Sequence, residues 1–229
     1  MGILRYPEGG VGKISKVNYH AVKMAVLAAA LIVFANALRL VNTDVPFINT
    51  ICAFLIFAIY IGMLAAWGLS IRRRMMHSHI RSYLLGISGL MLFWIFVRTL
   101  KWHAFEDLFA AERFLWYCYY IPMNLVPLLS FFAALCLGKP ENERPKRQYY
   151  FLLIPAALLI LGILTNDLHQ QAFVLLPNLE DWSGGYAYRI LFYLNSIWVI
   201  GFLAATVWLL FQKSYIPYTK KRVWLPLLV

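Results

Sequence analysis

The side chains that could take part in chemistry are polar or charged groups within long apolar stretches or just beyond their ends. An ionisable group in hydrocarbon costs about 2.5–3.5 kcal/mol on insertion scales, so it needs a partner or a position near the interface. Most of the charged members of this set fall near one end of the apolar stretches. The candidates for contacting a ligand are Arg98, Trp116, Tyr120, Asn124, Asn166, Asp167, His169 and Trp182.

The densest group lies in the connector that follows the apolar stretch ending at residue 165. Asn166 and Asp167 can terminate or cap the preceding helix, while His169 and Trp182 can return an imidazole and an indole to the interface. Because an unperturbed imidazole titrates at about pH 6.5, a pH-sensing role for His169 is a hypothesis. The alternative interpretation places Trp182 and the tyrosines after it in an ordinary aromatic belt.

Two prolines, Pro122 and Pro127, interrupt one of the apolar stretches. Each lacks an N–H group, so the carbonyl one turn earlier loses its donor and the helix is predicted to kink. Asn124 lies between the prolines, which suits a buried pocket or a hinge formed by Pro122 and Pro127. Packing of a kinked helix against its neighbours, with Asn124 bonded between helices, explains the pattern equally well.

Motifs for catalysis and metal binding are absent from the sequence. It contains no His-Glu-x-x-His, no Gly-x-Ser-x-Gly elbow and no glycine-rich loop ahead of a lysine. Cys52, Cys118 and Cys136 lie in apolar runs at unrelated spacings, so they are interpreted as small buried hydrophobic residues. We therefore expect no catalytic residue, no metal and no cofactor in these residues.

The amino-acid composition distinguishes a membrane protein from a soluble one. Of the 229 residues, 62% are apolar and 14% are charged, whereas soluble domains have about 45–50% and 25%. A soluble globular domain is therefore excluded. The predicted fold is an all-α, polytopic membrane helix bundle, because a helix needs about 20 mainly apolar residues to cross the hydrocarbon core.

The apolar stretches give six complete transmembrane helices and the start of a seventh. We assign residues 1–20 to a cytoplasmic N-terminal tail, irregular at its glycine-rich start, and residues 21–41 to a leading helix. The other predicted spans cover residues 47–71, 82–100, 114–138, 149–165 and 188–211, and a further apolar run covers 223–229. Because that run is too short to cross a membrane, we expect the 229 residues to be the front part of a longer reading frame.

The distribution of basic residues predicts the orientation. Short cytoplasmic loops concentrate Lys and Arg, and sixteen of the twenty-one basic residues fall, four in each, in the N-terminal segment and three alternate loops. The N-terminus is therefore predicted to be cytoplasmic in a multi-pass protein of the plasma membrane. The formal charge of +11 therefore mostly reflects the membrane topology, with the basic loops expected to lie against anionic lipid headgroups. Nucleic-acid binding is not indicated.

The order of these motifs resembles the N-terminal seven-helix sensor region of bacterial histidine kinases. The resemblance covers roughly residues 47–229, so that 47–229 is an incomplete region of this type and 21–41 is an additional helix. The residues that carry it are Trp116-Tyr117-x-x-Tyr120-x-Pro122 with Pro127, then Ile154-Pro155, then Leu164-Thr165-Asn166-Asp167-x-His169, and finally Tyr186, Tyr188, Tyr193 and Trp198.

The resemblance implies a two-component receptor that detects an external or membrane-borne signal and relays it to a cytoplasmic output module, typically a histidine kinase. The candidate residues above would then sense the ligand or signal. These 229 residues hold no phosphoacceptor histidine segment and no ATP-binding glycine boxes, so any kinase activity would belong to further sequence. The expected partners are the lipid bilayer and an unknown small-molecule or physical signal, with a homodimer left open. A small-molecule transporter or permease subunit is the alternative function.

Overall fold

The computed structural model describes residues 11–40, 45–103, 108–140, 143–175 and 185–213. It confirms the predicted all-α membrane fold. The helices are α1 (Val11–Leu40), α2 (Pro46–Arg74), α3 (Ser78–His103), α4 (Phe109–Cys118), α5 (Tyr120–Cys136), α6 (Leu153–Leu164), α7 (Asn166–His169) and α8 (Ile190–Lys213). A 3₁₀ segment (Arg147–Leu152) leads into α6, and two short strands, β1 (Phe173–Leu175) and β2 (Tyr186–Tyr188), lie between α7 and α8.

Among the described residues, six helical segments are long and apolar enough to cross a membrane, in agreement with the six predicted spans. They are Val22–Leu40, Phe47–Arg74, Ser78–Trp102, Phe109–Cys136, Arg147–Leu164 and Ile190–Lys213. The apolar run at 223–229 lies outside the described residues. The first helix begins at Val11 and includes Gly12, which differs from the predicted tail of residues 1–20.

The chain divides into two compact units, Met1–Met63 and Leu64–Val229. In the first unit Ala35 is buried, and the Arg39 guanidinium lies 5.6 Å from the centre of the Tyr60 ring. Within the second unit many large apolar side chains of α6 and α8 are exposed, such as Leu158 and Ile197. Such surfaces are unfavourable in water but carry no penalty in hydrocarbon, as expected for helices that face lipid.

The fourth span consists of two helices because its hydrogen-bond ladder is interrupted at Tyr119. Pro122 has no N–H group, so it cannot donate to the Cys118 carbonyl four residues earlier. The Tyr119 N–H donates at 3.1 Å to the carbonyl of Trp116, which is only three residues earlier, so the regular α-helical spacing is broken here. Pro127 lies inside α5, where it removes a second ladder bond. The interruption thus lies where the prolines predicted a disturbed helix, just before Pro122.

Helix α5 forms the centre of the second unit. Its residues Leu128 and Phe132 pack with Ala156 of α6 in a buried apolar cluster. Tyr83 of α3 packs on Phe132, and its hydroxyl group lies 2.8 Å from that of Tyr150 in the 3₁₀ segment. The polar atoms of these two tyrosines therefore satisfy each other beside an apolar core.

The end of α8 is fixed to the end of α5 by Lys213. Its Nζ donates hydrogen bonds of 2.8 and 2.7 Å to the carbonyls of Ala134 and Leu135. These carbonyls belong to the last turn of α5, which carries partial negative charge and favours a cation. Nearby, Lys139 pairs with Glu143 at 2.7 Å, and this hydrogen bond raises the pKa of the Lys139 ammonium group.

We predict that Lys213→Met lowers the free energy of unfolding of the detergent-solubilised chain by about 1.5 kcal/mol or more, because charge-assisted hydrogen bonds are lost. Unfolding in a titration with a denaturing detergent measures the change. Lys139→Met is the matched control, since Lys139 forms an exposed pair with Glu143, four residues later, and its removal should change the midpoint little. Equal midpoints for the wild type and Lys213→Met would contradict the prediction.

Candidate functional site

The candidate residues gather at the end of the second unit that carries the two strands, here called the hairpin end. Strand β1 pairs with β2 in antiparallel register, with Phe173 opposite Tyr188. Before β1, α7 ends at Gln170, which has a left-handed backbone (φ 50°) and donates its N–H to the Asn166 carbonyl at 2.7 Å. This geometry ends the short helix and turns the chain back towards Asn166.

Asn166 is the hub of the hairpin end. It is fully buried, and its Oδ1 accepts hydrogen bonds from the N–H groups of Ala172 and Phe173, at 2.8 and 3.0 Å. Its Nδ2 donates to the Phe173 carbonyl at 2.9 Å and to the Tyr117 hydroxyl oxygen at 3.2 Å. One amide side chain therefore satisfies three backbone groups of the turn and joins that turn to α4.

Asp167 joins the same turn to α4 by charge. Its Oδ2 accepts hydrogen bonds from Nε and Nη2 of Arg113, at 3.1 and 2.9 Å, and its Oδ1 accepts one from the Tyr117 hydroxyl at 2.8 Å. The Arg113 side chain is 17% exposed and that of Asp167 is 42% exposed. Tyr117 thus donates to Asp167 and accepts from Asn166, so both sides of its hydroxyl group are engaged.

His169 is exposed beside this cluster, and both of its ring nitrogens have partners. Nε2 lies 2.9 Å from the Gly162 carbonyl oxygen, and Nδ1 accepts a hydrogen bond from the Gln171 N–H at 3.0 Å. These bonds assign the proton to Nε2. A second proton on Nδ1 would remove the acceptor of the Gln171 N–H.

Aromatic rings pack beneath the polar cluster around Phe173, which is fully buried. The ring of Trp116 lies 4.6 Å and that of Tyr120 lies 5.7 Å from Phe173, measured between centroids. Tyr186 of β2 closes the group at 5.6 Å from Phe173. The pKa of Tyr186 is raised mainly by a side-chain hydrogen bond with Tyr188 and, to a smaller extent, by burial. Trp116 and Tyr120 therefore belong to the apolar base of the hairpin end.

Asn124 lies apart from the hairpin end, between α5 and α8. Both Asn124 and Asn195 are fully buried, and Nδ2 of Asn124 donates to Oδ1 of Asn195 at 2.6 Å and to the Tyr120 carbonyl at 2.8 Å. Trp198 adds a hydrogen bond of 3.4 Å from its Nε1 to the backbone carbonyl of Asn124. This arrangement is the interhelical bonding given above as the alternative for Asn124.

The structure brings some of the predicted site residues together and separates others. Asn166, Asp167, Trp116 and Tyr120 form one assembly, with His169 at its edge. Arg98 has no hydrogen bond or ion pair within the described residues, and Trp182 lies outside them. The candidate residues chosen from the sequence did not include Arg113, Tyr117 and Asn195, although Arg113 and Tyr117 are four residues apart and so share a helix face.

The assembly is suited to holding a structure in place rather than to covalent chemistry. Within the described ranges no group of three or more His, Cys, Asp or Glu side chains could hold a metal ion. The carboxylate of Asp167 is engaged by a cation and a hydroxyl group, and Asn166 is engaged on both its oxygen and its nitrogen. The arrangement can respond to a ligand or force by changing these bonds.

We predict that Asn166→Ala accelerates hydrogen exchange of the Ala172 and Phe173 amides about tenfold or more, since both lose their acceptor. Exchange measured by mass spectrometry on peptides covering residues 166–175 tests this. Asp167→Asn is the control, because Asp167 bonds to side chains and to neither of these amides. Similar acceleration in both variants would contradict a specific role for Asn166.

Comparison with known families identifies the chain. Residues 50–227, more than half of the chain, match the family described as the N-terminal 7TM region of histidine kinase. No curated protein and no solved structure matches the chain. The matched residues contain the assembly at the hairpin end, the proline-interrupted fourth span and the Asn124–Asn195 pair. The chain therefore belongs to the family of N-terminal seven-transmembrane regions of histidine kinases.

Proposed function

We propose that this membrane sensory domain detects an external or membrane-borne signal at its hairpin end and relays it to a cytoplasmic output module, a histidine kinase. The observation that carries the proposal is the double link from one short turn to two membrane helices. The turn bonds through Asn166 and Asp167 to α4, and through its backbone to the first turn of α8. A change at the turn would thus act on both helices.

The link to α8 consists of backbone hydrogen bonds. The N–H of Arg189 donates to the Ala172 carbonyl at 2.9 Å, and the N–H of Leu191 donates to the Gln171 carbonyl at 3.0 Å. Free N–H groups at the start of a helix need such acceptors. Since Ala172 is also bonded to Asn166, a displacement of Asn166 would carry the start of α8 with it.

The path through the membrane follows α8 and α5. Helix α8 is bonded to α5 at Asn195 and Trp198, and again at Lys213, where it ends. A helix held at both ends and in the middle moves as a rigid element, which is a common way for a signal to cross a bilayer. The interruption at Tyr119, with Pro122 and Pro127, supplies the hinge at which α4 can move relative to α5.

This function requires the hairpin end to face outside and the opposite end to face the cytoplasm. The basic residues support this orientation, because Arg72, Arg73, Arg74 and Lys213 lie at the ends of α2 and α8 opposite to the hairpin. Residue 168, next to the candidate site, would then meet an external signal directly.

Cysteine labelling in intact cells tests the orientation. Leu168 and Met76 are 86% and 84% exposed, so cysteines at these positions form a matched pair at the two ends. In a chain whose Cys52, Cys118 and Cys136 are replaced by alanine, we expect a membrane-impermeant maleimide to label Leu168→Cys. Met76→Cys should be labelled only after lysis. The reverse pattern would contradict the proposed orientation.

A distance measurement across α5 and α8 tests the relay. Spin labels attached through Leu137→Cys and Phe211→Cys, both at exposed positions near the ends of α5 and α8, report on that end of the bundle in liposomes. Asp167→Asn breaks the pair with Arg113 at the hairpin end, in place of an unidentified signal. We expect the mean label distance to shift by about 1–2 Å or its distribution to broaden, as in helix displacements of known switches.

The control is Glu143→Gln, which breaks an exposed ion pair without touching the hairpin end and should leave the label distance unchanged. If Asp167→Asn alters hydrogen exchange at the hairpin end but leaves the label distance at the wild-type value, the turn only stabilises the fold and the proposed relay through α8 is wrong.

A further inference from the structure

Arg98 is a cation within a predicted span that the fold leaves without a partner. It lies on α3 inside the membrane-spanning segment Ser78–Trp102, it is exposed, and it makes no hydrogen bond or ion pair within the described residues. A charged side chain at this depth is costly unless it reaches an interfacial or bound partner. Arg113, Lys101 and Lys213, by contrast, all have such partners.

The neighbours of Arg98 along α3 show which face it lies on. Trp94, one turn earlier, contacts Tyr119 edge to face at 6.4 Å between ring centroids. Lys101, three residues later, pairs with Glu112 of α4 at 3.0 Å. Residues three and four apart share a helix face, so Arg98 lies between these two contacts on the side of α3 that meets the fourth span.

The hydroxyl group of Tyr119 on this face also lacks a partner. Its Oη is buried, with less than 1 Å² exposed, and makes no hydrogen bond. The Tyr119 ring contacts Trp94, which lies one turn before Arg98 on the same face of α3. An unpaired buried hydroxyl destabilises the protein, and buried polar groups normally have a protein or water partner. Two unpaired donors on one face both require an acceptor.

The carboxylates described at this end are already engaged. Glu112 pairs with Lys101 and Asp167 pairs with Arg113. Among the described residues at this end, no carboxylate is thus left for Arg98, which leaves room for an acceptor from another molecule. An anionic oxygen group fits best, because a guanidinium binds phosphate oxygens with two parallel hydrogen bonds and a phenol hydroxyl can donate a third.

We propose that Arg98 and Tyr119 form a binding site for a phosphate group at the edge of the membrane, between α3 and the fourth span. The phosphate is supplied either by a lipid headgroup or by an anion in solution. The exposed Arg98 side chain binds the group first, and access of the group to the covered Tyr119 hydroxyl requires a rearrangement of the side chains around it. The site is separate from the assembly around Asn166 and does not depend on the proposed relay.

Binding to the purified 229-residue chain in maltoside micelles tests the site, with two probes used separately. The first is dioleoyl phosphatidylglycerol, counted as bound lipid by native mass spectrometry over a range of concentrations. The second is inorganic phosphate, followed by the shift that it causes in the melting midpoint. Tighter binding of the lipid assigns a headgroup site, and a midpoint shift by phosphate at the same residues assigns a site for a free anion.

We expect Arg98→Gln to weaken binding of the effective probe about tenfold or more, and Tyr119→Phe to weaken it about threefold, as for loss of charge-assisted and neutral hydrogen bonds. Arg189→Gln is the matched control, because Arg189 has the same charge, is exposed and lies at the same end of the bundle, just before α8. This variant should bind the probe as the wild type does.

Tyr119→Phe removes a single oxygen atom, so the test stands even if Arg98→Gln does not fold. The proposal is overturned if neither probe binds the wild type. It is equally overturned if Tyr119→Phe and every folded Arg98 variant bind as tightly as Arg189→Gln. Neither outcome bears on the proposed relay, which is tested separately by the distance between spin labels in liposomes.

Discussion

The whole architecture depends on the fact that hydrocarbon offers no hydrogen bonds. A polar group placed among the spans destabilises the protein unless it finds a partner, because lipid tails supply none. The hydroxyl groups of Thr99, Ser130, Ser196 and Thr206 do so by donating to the carbonyl one turn earlier in the same helix. Such local bonds leave the helices independent of each other. Side chains such as those of Asn124, Asn166 and Lys213 instead join one element to another.

Asn166 and Asp167 show how two neighbours in sequence divide the work at the hairpin end. The neutral amide is fully buried and satisfies backbone groups, because burying it costs little once its oxygen and nitrogen are bonded. The carboxylate stays partly exposed and takes Arg113 as its partner, because a fully buried charge would carry a larger desolvation cost. With Asp at position 166 and Asn at position 167, the carboxylate would be buried. The Phe173 carbonyl would then lose the hydrogen bond that it accepts from the Asn166 amide group.

The sequence was sufficient for the spans and insufficient for the choice of partners. Runs of about 20 apolar residues follow from the thickness of the hydrocarbon core, so residues 47–71 and 82–100 were recognisable without a structure. The importance of Asn166 and Asp167 was also predictable from their place after a helix. Whether Asp167 would meet Arg98 or Arg113 was not predictable, because both arginines lie near the same end of predicted spans. The choice depends on how α3 and α4 are rotated about their axes, which the apolar composition of these helices specifies only weakly.

The Asn124–Asn195 pair places a different demand on the interface of α5 and α8. Two amides could satisfy each other with two hydrogen bonds, yet this pair makes one, and Oδ1 of Asn124 and Nδ2 of Asn195 are buried without a partner. Each unsatisfied atom costs about 1–3 kcal/mol, a penalty that an apolar interface of the same shape would avoid. An interface that carries such a penalty is separated by less free energy from alternative packings. A small rotation of α8 that formed the second bond would recover part of that cost.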